Sequence, residues 1–247
     1  MRWLLAAGAV FLLAPLALPD PVATDFTAIL AGPSWAHPLG TDQLGRDVLS
    51  RLVSGGRLTL GLTAAGVLFP AVAGTLAGLV AGYLGRGGVA RLADLCASLP
   101  TVLIGLLAAV VLGPGLPSVL VAVCAVGWTP FARQAYQLTV REAGLNYVDA
   151  ARALGAGPLR IAGRHIAPNI RSPLVAHLCL RFAGTLLSVS GLSFLGLGVQ
   201  PPTPEWGAMV SDGRAHLFGA PHLVLAPAIA VVLTASLATA AGRRLGR

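Results

Sequence analysis

The sequence predicts an all-α, polytopic membrane protein with six transmembrane helices. Three observations lead there. Of the 247 residues, 55% are hydrophobic and only 11% are charged, where a soluble domain carries about 25%. Uncharged runs cover residues 58–85, 95–132 and 215–242, each longer than the ~20 residues needed to cross the hydrocarbon core. The basic residues, all of them arginine, are shared very unequally between the segments that join these runs.

The first span is placed at residues 1–20, where Met1-Arg2-Trp3 leads into an apolar run that ends at Pro19-Asp20-Pro21. A cleaved signal peptide has the same layout, but the further membrane segments downstream favour a retained helix. Residues 21–57 then form an outer segment. Here Asp42/Arg46 and Asp47/Arg51 stand at i,i+4, and Leu44, Val48 and Leu52 share a face. That pattern predicts an amphipathic interfacial helix, which either docks a partner or seats the domain on the membrane.

The second span covers 58–85 and carries Gly74, Gly78 and Gly82, one on every fourth position. Such a stripe lets two helix backbones approach closely. The run 95–132 is too long for one span, and Gly113-Pro114-Gly115-Leu116-Pro117 divides it into a hairpin near 96–112 and 118–136. A polar, basic loop follows at 133–171, its main part at 137–171. The fifth span lies near 173–195, a Gly/Pro-rich outer loop covers 196–214, and the sixth span covers 215–242. Residues 58–242 thus make a five-helix core, followed by a short tail at 243–247.

With both termini inside, the inner segments collect twelve arginines and the outer ones four. The positive-inside bias therefore puts both ends in the cytoplasm. The same bias accounts for the net charge of +8 without any nucleic-acid partner. The sequence contains no lysine. A phosphate-binding P-loop needs one, as does a Schiff-base enzyme, so any ATP is hydrolysed on another chain. Cys96, Cys124 and Cys179 have no redox or metal spacing. The five histidines, His37, His165, His177, His216 and His222, form no ligand motif, and no metal site is expected.

The cytoplasmic loop is the most informative segment. Residues Asn146–Leu154 read as a short helix capped by Asn146, and Gly155-Ala156-Gly157 stops it. Pro158 opens a second helix, with Leu159, Ala162 and Ile166 on one face and Arg160, Arg164 and Arg171 along another. The small Ala150 and Ala151 would let a partner groove close around the element. Its basic face suits acidic partner residues or anionic lipid headgroups. An amphipathic loop helix lying on the membrane fits the same residues.

Asp149-Ala150-Ala151, Gly155 and Pro168 resemble the EAA loop of binding-protein-dependent ABC importer permeases, in which E-A-A, a glycine and a proline recur at these spacings. Asp149 stands for Glu, and His165 and Ala167 take two hydrophobic positions. His37-Pro38-Leu39-Gly40-Thr41-Asp42-Gln43-Leu44-Gly45-Arg46-Asp47 resembles the segment before the second helix in the dipeptide/oligopeptide/nickel permease group. Leu192–Pro202 with Glu205-Trp206-Gly207 resembles the fifth-helix end and outer loop of that group's second, C-type permease.

The resemblance implies the type I importer, MetI-like permease fold in a bacterial inner membrane. It implies a homologous second permease, two ATPase subunits that bind ATP and Mg, an extracytoplasmic substrate-binding protein, and lipid around the whole. No cofactor is expected in this chain. The implied cargo is a di- or oligopeptide, nickel or a metal chelate. Asp149, Ala150, Ala151, Arg152, Leu154, Gly155, Pro158, Arg164, His165 and Pro168 are the implied contacts to an ATPase subunit. Alternating access follows, with ATP binding driving the coupling helices together.

Candidate pathway residues are Arg181, Thr185, Ser188, Ser193 and Phe194. Arg181 either lines a polar interior or sits near the cytoplasmic end and snorkels to headgroups. Asp94 is expected to make an interhelical or loop contact. A stand-alone secondary transporter is the alternative, but it needs an ion-coupling site, and no Asp or Glu lies within a predicted span. An intramembrane enzyme would need a motif such as H-E-x-x-H or G-x-S-x-G, and neither is present.

Overall fold

In the computed structural model, residues 18–246 are described, and they hold helices joined by turns. The first predicted span falls almost wholly outside the described residues. Helix α1 runs over Val48–Tyr83, α2 over Gly88–Ala97, α3 over Thr101–Leu112, α4 over Leu116–Gly127 and α5 over Thr129–Ala143. Helix α6 covers Asn146–Ala153, α7 Ala167–Phe194, α8 Trp206–Gly213 and α9 His222–Leu245. Four helical stretches are long and apolar enough to cross a membrane: Val48–Tyr83, Leu116–Ala143, Pro158–Phe194 and His222–Leu245. The α2–α3 pair makes a fifth if it is counted as one span.

The third span corrects the sequence reading. In place of one helix over 96–112, α2 and α3 meet at a bend of 80°. Pro100 stands at the break. Its ring excludes the preceding residue from helical geometry and removes a backbone donor. The turn at 113–117 falls where expected, with Gly113 and Gly115 at φ 80° and 154°.

The outer segment is corrected as well. No separate amphipathic helix forms over 42–52. Gly45 has φ 72°, and Asp42 accepts the backbone N–H groups of Leu44 and Arg46 at 2.8 and 3.0 Å. This reverses the chain and pairs Thr41 with Asp47 in an isolated bridge. Asp47 then accepts the N–H of Ser50 at 2.8 Å, which is the bond a helix cap makes. From there α1 continues unbroken for 36 residues.

The basic stretch 133–171 is not a forty-residue loop. Helix α5 carries the chain to Ala143, and helical structure resumes at Pro158. A true connection remains only at 144–157, and it contains α6. Apart from Asp149 and Arg152 in α6, the charged residues therefore decorate extensions of two spanning helices.

The chain divides into two compact units. One comprises the residues up to Thr63, Gly105–Val119 and Leu186–Thr234. The other comprises Ala64–Ile104, Leu120–Thr185 and Ala235–Arg247. In the second unit, Gly74, Gly78 and Gly82 lie against α5 and the residue before it. A Cβ at Gly74 or Gly78 would collide with the carbonyl oxygens of Trp128 and Ala132, and one at Gly82 would stand 2.8 Å from Thr139 Cβ. Helix α2 also packs on α5, and Arg133 Nη1 meets Asp94 Oδ1 across that contact at 3.1 Å.

Candidate functional site

Helix α6 begins at Asn146, with Leu145 in extended geometry before it and no side-chain cap. Asn146 is thus the first helical residue and not the cap expected from the sequence. Val148 and Ala151 point inward and join Ile161, Ile166 and Ile170 in one buried cluster, with Leu79, Tyr83, Leu138 and Leu174 packed around it. Burying these groups orients the element with no disulfide or metal.

The end of α6 is closed by two backbone bonds. Gly155 N–H donates to Arg152 O at 2.9 Å and Ala156 N–H to Ala151 O at 3.0 Å. This is the Schellman arrangement, which places a residue in left-handed geometry just past the helix. Gly155 fills that place with φ 81°.

Pro158 takes the first helical position after the turn. The face expected to hold Leu159, Ala162 and Ile166 is different in the structure. Leu159 is 90% exposed, while Ile161 and Ile166 are buried. Residues Ile161–Ile166 form a π-helical turn, closed by a bond from Ala167 N–H to Ala162 O. Bonding to the fifth residue back widens the helix, so side chains five apart come to one side.

The polar residues anchor the element to its neighbours. Tyr147 Oη donates to Glu142 Oε2 at 2.6 Å, and Asn169 Nδ2 donates to Tyr147 Oη at 3.0 Å. Burial, together with the bond to Glu142, raises the Tyr147 pKa above the usual phenol value. Sequence reasoning missed this trio. Glu142 and Asn169 are far apart in the chain, and Tyr147 looked like an ordinary helix residue.

Asp149 and Arg152 pair on the surface at 2.9 Å, and the Arg152 guanidinium lies 5.9 Å from the Tyr83 ring centroid. Ala150, Arg164 and Pro168 are exposed, Ala151 is buried, and His165 is partly covered. Leu154 and Leu159 are both about 90% exposed, flanking the Gly155 turn. An apolar pair so placed can bury itself only against something beyond the described residues.

Of the five candidate pathway residues, Thr185 and Ser193 are buried in the chain's own packing. A Cβ at Gly66 would touch Thr185, and one at Gly198 would meet Ser193. Arg181 and Ser188 are partly exposed, and Phe194 is exposed. His177 stands edge-on to Phe131, ring centroids 5.1 Å apart.

In the other unit, the two outer motifs converge. Thr59 Oγ1 donates to Glu205 Oε1 at 2.8 Å, Trp206 Nε1 donates to Leu52 O at 2.8 Å, and Arg51 reaches Pro202 O at 3.4 Å. Asp42 holds Arg46 at 2.7 Å and Arg51 at 3.4 Å. The expected Asp47/Arg51 pair does not form. Asp47 takes His37 at 2.9 Å instead, because the reversal at Gly45 turns Arg51 toward Asp42. Among the described residues, no cluster of three His, Cys, Asp or Glu side chains could hold a metal.

Residues 66–247, which include the α6 element, match the family model of the binding-protein-dependent transport system inner membrane component. The chain belongs to this family. It is a transport permease subunit by descent. It is similar to the glutathione transport system permease protein GsiD of Pectobacterium atrosepticum, 37% identical over 213 residues that cover 85% of this permease and 71% of GsiD. It is also similar to the di/tripeptide transport system permease protein DppC of Pseudomonas aeruginosa, 37% identical over 233 residues, covering 90% of this permease and 77% of DppC. Among solved structures, the permease resembles a chain of the inward-facing methionine ABC transporter MetNI. The TM-score is 0.63 at 19% identity, over 80% of this chain and 95% of that one. That likeness concerns the fold, which is the MetI-like membrane domain.

Proposed function

We propose that this permease forms half of the translocation pathway of an ATP-driven importer for short peptides, and that the element from Asn146 to Pro168 receives the push from an ATPase subunit. One observation carries this reading. Leu154 and Leu159 stand almost fully exposed on either side of a rigid glycine-closed turn, while the residues behind them are packed and hydrogen-bonded into two spanning helices. A knob that is rigid behind and apolar in front transmits force to a groove that fits it.

The other parts of the reading follow. The arginine bias puts the element and both termini in the cytoplasm. A homologous permease supplies the second half of the pathway, two ATPase subunits bind ATP and Mg, and a binding protein delivers cargo from outside. The relatives named for glutathione and di/tripeptides support peptide cargo over nickel. ATP binding brings the two coupling elements together and opens the pathway outward, and hydrolysis returns it inward.

Purification from the native membrane tests the reading. ATPase subunits should co-purify with the intact permease, and replacing both Leu154 and Leu159 with Asp should release them. The cognate binding protein should capture di- or tripeptides. Retention of the ATPases by the double variant would overturn the coupling assignment, and capture of nickel without peptide would overturn the cargo.

A further inference from the structure

Arg181 stands near the centre of the 28-residue helix α7, about 20 Å of helix from either end. Arg171, at the basic end of the helix, is about 15 Å away along the axis. A side chain cannot span that distance to the headgroups, so snorkelling from the cytoplasmic end does not account for this charge. Nor does any described residue neutralise it. No Asp or Glu occurs between Asp47 and Asp94, between Asp94 and Glu142, or between Asp149 and Glu205. Among the described residues, the ion pairs involve His37, Arg46, Arg51, Arg133 and Arg152, and Arg181 has none. A guanidinium at mid-membrane draws its counter-charge from somewhere, and no described residue supplies it.

The surroundings say what kind of group arrives. Within the same compact unit, a groove of about 340 Å³ runs between α1 and α7, walled by Leu68, Leu76, Phe131, Leu174 and Leu178, with Arg171 at one end. That volume falls in the range of small-ligand clefts, about 300–1,000 Å³. Arg181 lies three residues past Leu178, one turn further along the same face. The walls are aliphatic and make no directional demands on a side chain. The guanidinium does make one, since it binds a carboxylate through two parallel hydrogen bonds.

We propose that Arg181 is a mid-membrane station for the terminal carboxylate of the peptide cargo, whose side chains pass along the apolar groove. The proposal rests on the peptide-import reading above. It explains how one pathway could accept many sequences, because every unmodified peptide carries that carboxylate whatever its side chains.

The test uses the whole transporter in proteoliposomes, with trialanine and trialanine amide as probes, each presented at equal binding-protein occupancy. The wild type should import the acid faster than the amide. Arg181→Gln should lower uptake of the acid by about tenfold or more and leave the amide within about twofold. Arg181→Lys should retain the preference for the acid at a reduced rate. Equal loss of both probes, or no change in either, overturns the proposal and leaves Arg181 a contact to a neighbouring subunit. If Arg181→Gln does not assemble, Arg181→Lys decides: slower uptake of the acid with the amide within about twofold supports the station, and unchanged uptake of the acid or equal loss of both probes overturns it. A wild-type complex that imports neither probe overturns the peptide reading itself, and the proposal with it.

Discussion

Thr59 and Glu205, 146 positions apart, meet through a 2.8 Å hydrogen bond in which both residues are completely buried. The threonine hydroxyl also accepts the Trp206 N–H at 3.1 Å, and the other carboxylate oxygen accepts Ala208 N–H at 3.0 Å. Helix α8 is therefore fastened to α1 by one polar joint in apolar surroundings. Thr59→Val keeps the shape but leaves a carboxylate oxygen and an N–H unpaired. It should destabilise the permease by about 2–3 kcal/mol, read by thermal unfolding in detergent. A wild-type midpoint in that variant would show that the joint bears no stability.

A second joint depends on charge. Asp42 neutralises Arg46 and Arg51, each only 4% exposed, and its Oδ1 shapes the turn. Asp42→Ala strands two buried guanidinium groups, and a loss of about 3–5 kcal/mol is expected. Asp42→Asn can retain the Oδ1 acceptor that shapes the turn but loses the charge and the Oδ2 acceptor, so it should lose less than Asp42→Ala. Denaturant unfolding of both variants measures the difference, and equal midpoints would refute the charge argument.

The glycines of α1 are not equivalent. Gly78→Val should cost about 1–3 kcal/mol by forcing α5 away, because a Cβ there collides with the Ala132 carbonyl. Gly61 faces open space, so Gly61→Ala should be neutral or gain up to about 1 kcal/mol. Detergent thermostability of the two variants gives the comparison.

Gly155 separates backbone strain from crowding. No atom lies within 4 Å of a Cβ built there, yet φ is 81°. Asn tolerates that conformation and a β-branched residue does not. Gly155→Asn should keep peptide uptake, while Gly155→Val should lose most of it with membrane insertion and ATP hydrolysis intact. Matched ATPase and uptake assays on the reconstituted complex distinguish coupling from folding, and normal uptake by the valine variant would remove Gly155 from the coupling step.

Much of this was legible in the residues themselves. The charge-free runs, the Gly113–Gly115 turn, the glycine stop after α6 and Pro158 at a helix start all follow from local chemistry, and the structure has each of them. The helix proposed over 42–52 failed because i,i+4 spacing cannot distinguish a helical pair from an Asx-type turn that brings the same two side chains together. The face assigned to Leu159 failed because a 3.6-residue period was applied where the chain takes a π-helical turn.

By itself, the sequence determined the membrane class, the rough position of most of the described spans, and the family to which the chain belongs. These depend on the transfer free energy of each residue and on short motifs, and both are local properties. Only the tertiary structure decided that Glu205 meets Thr59, that Tyr147 joins Glu142 to Asn169, and that Arg181 sits near the centre of a helix that lines an apolar groove. Those relationships arise from which helix faces pack and where a helix starts, and no local period records either.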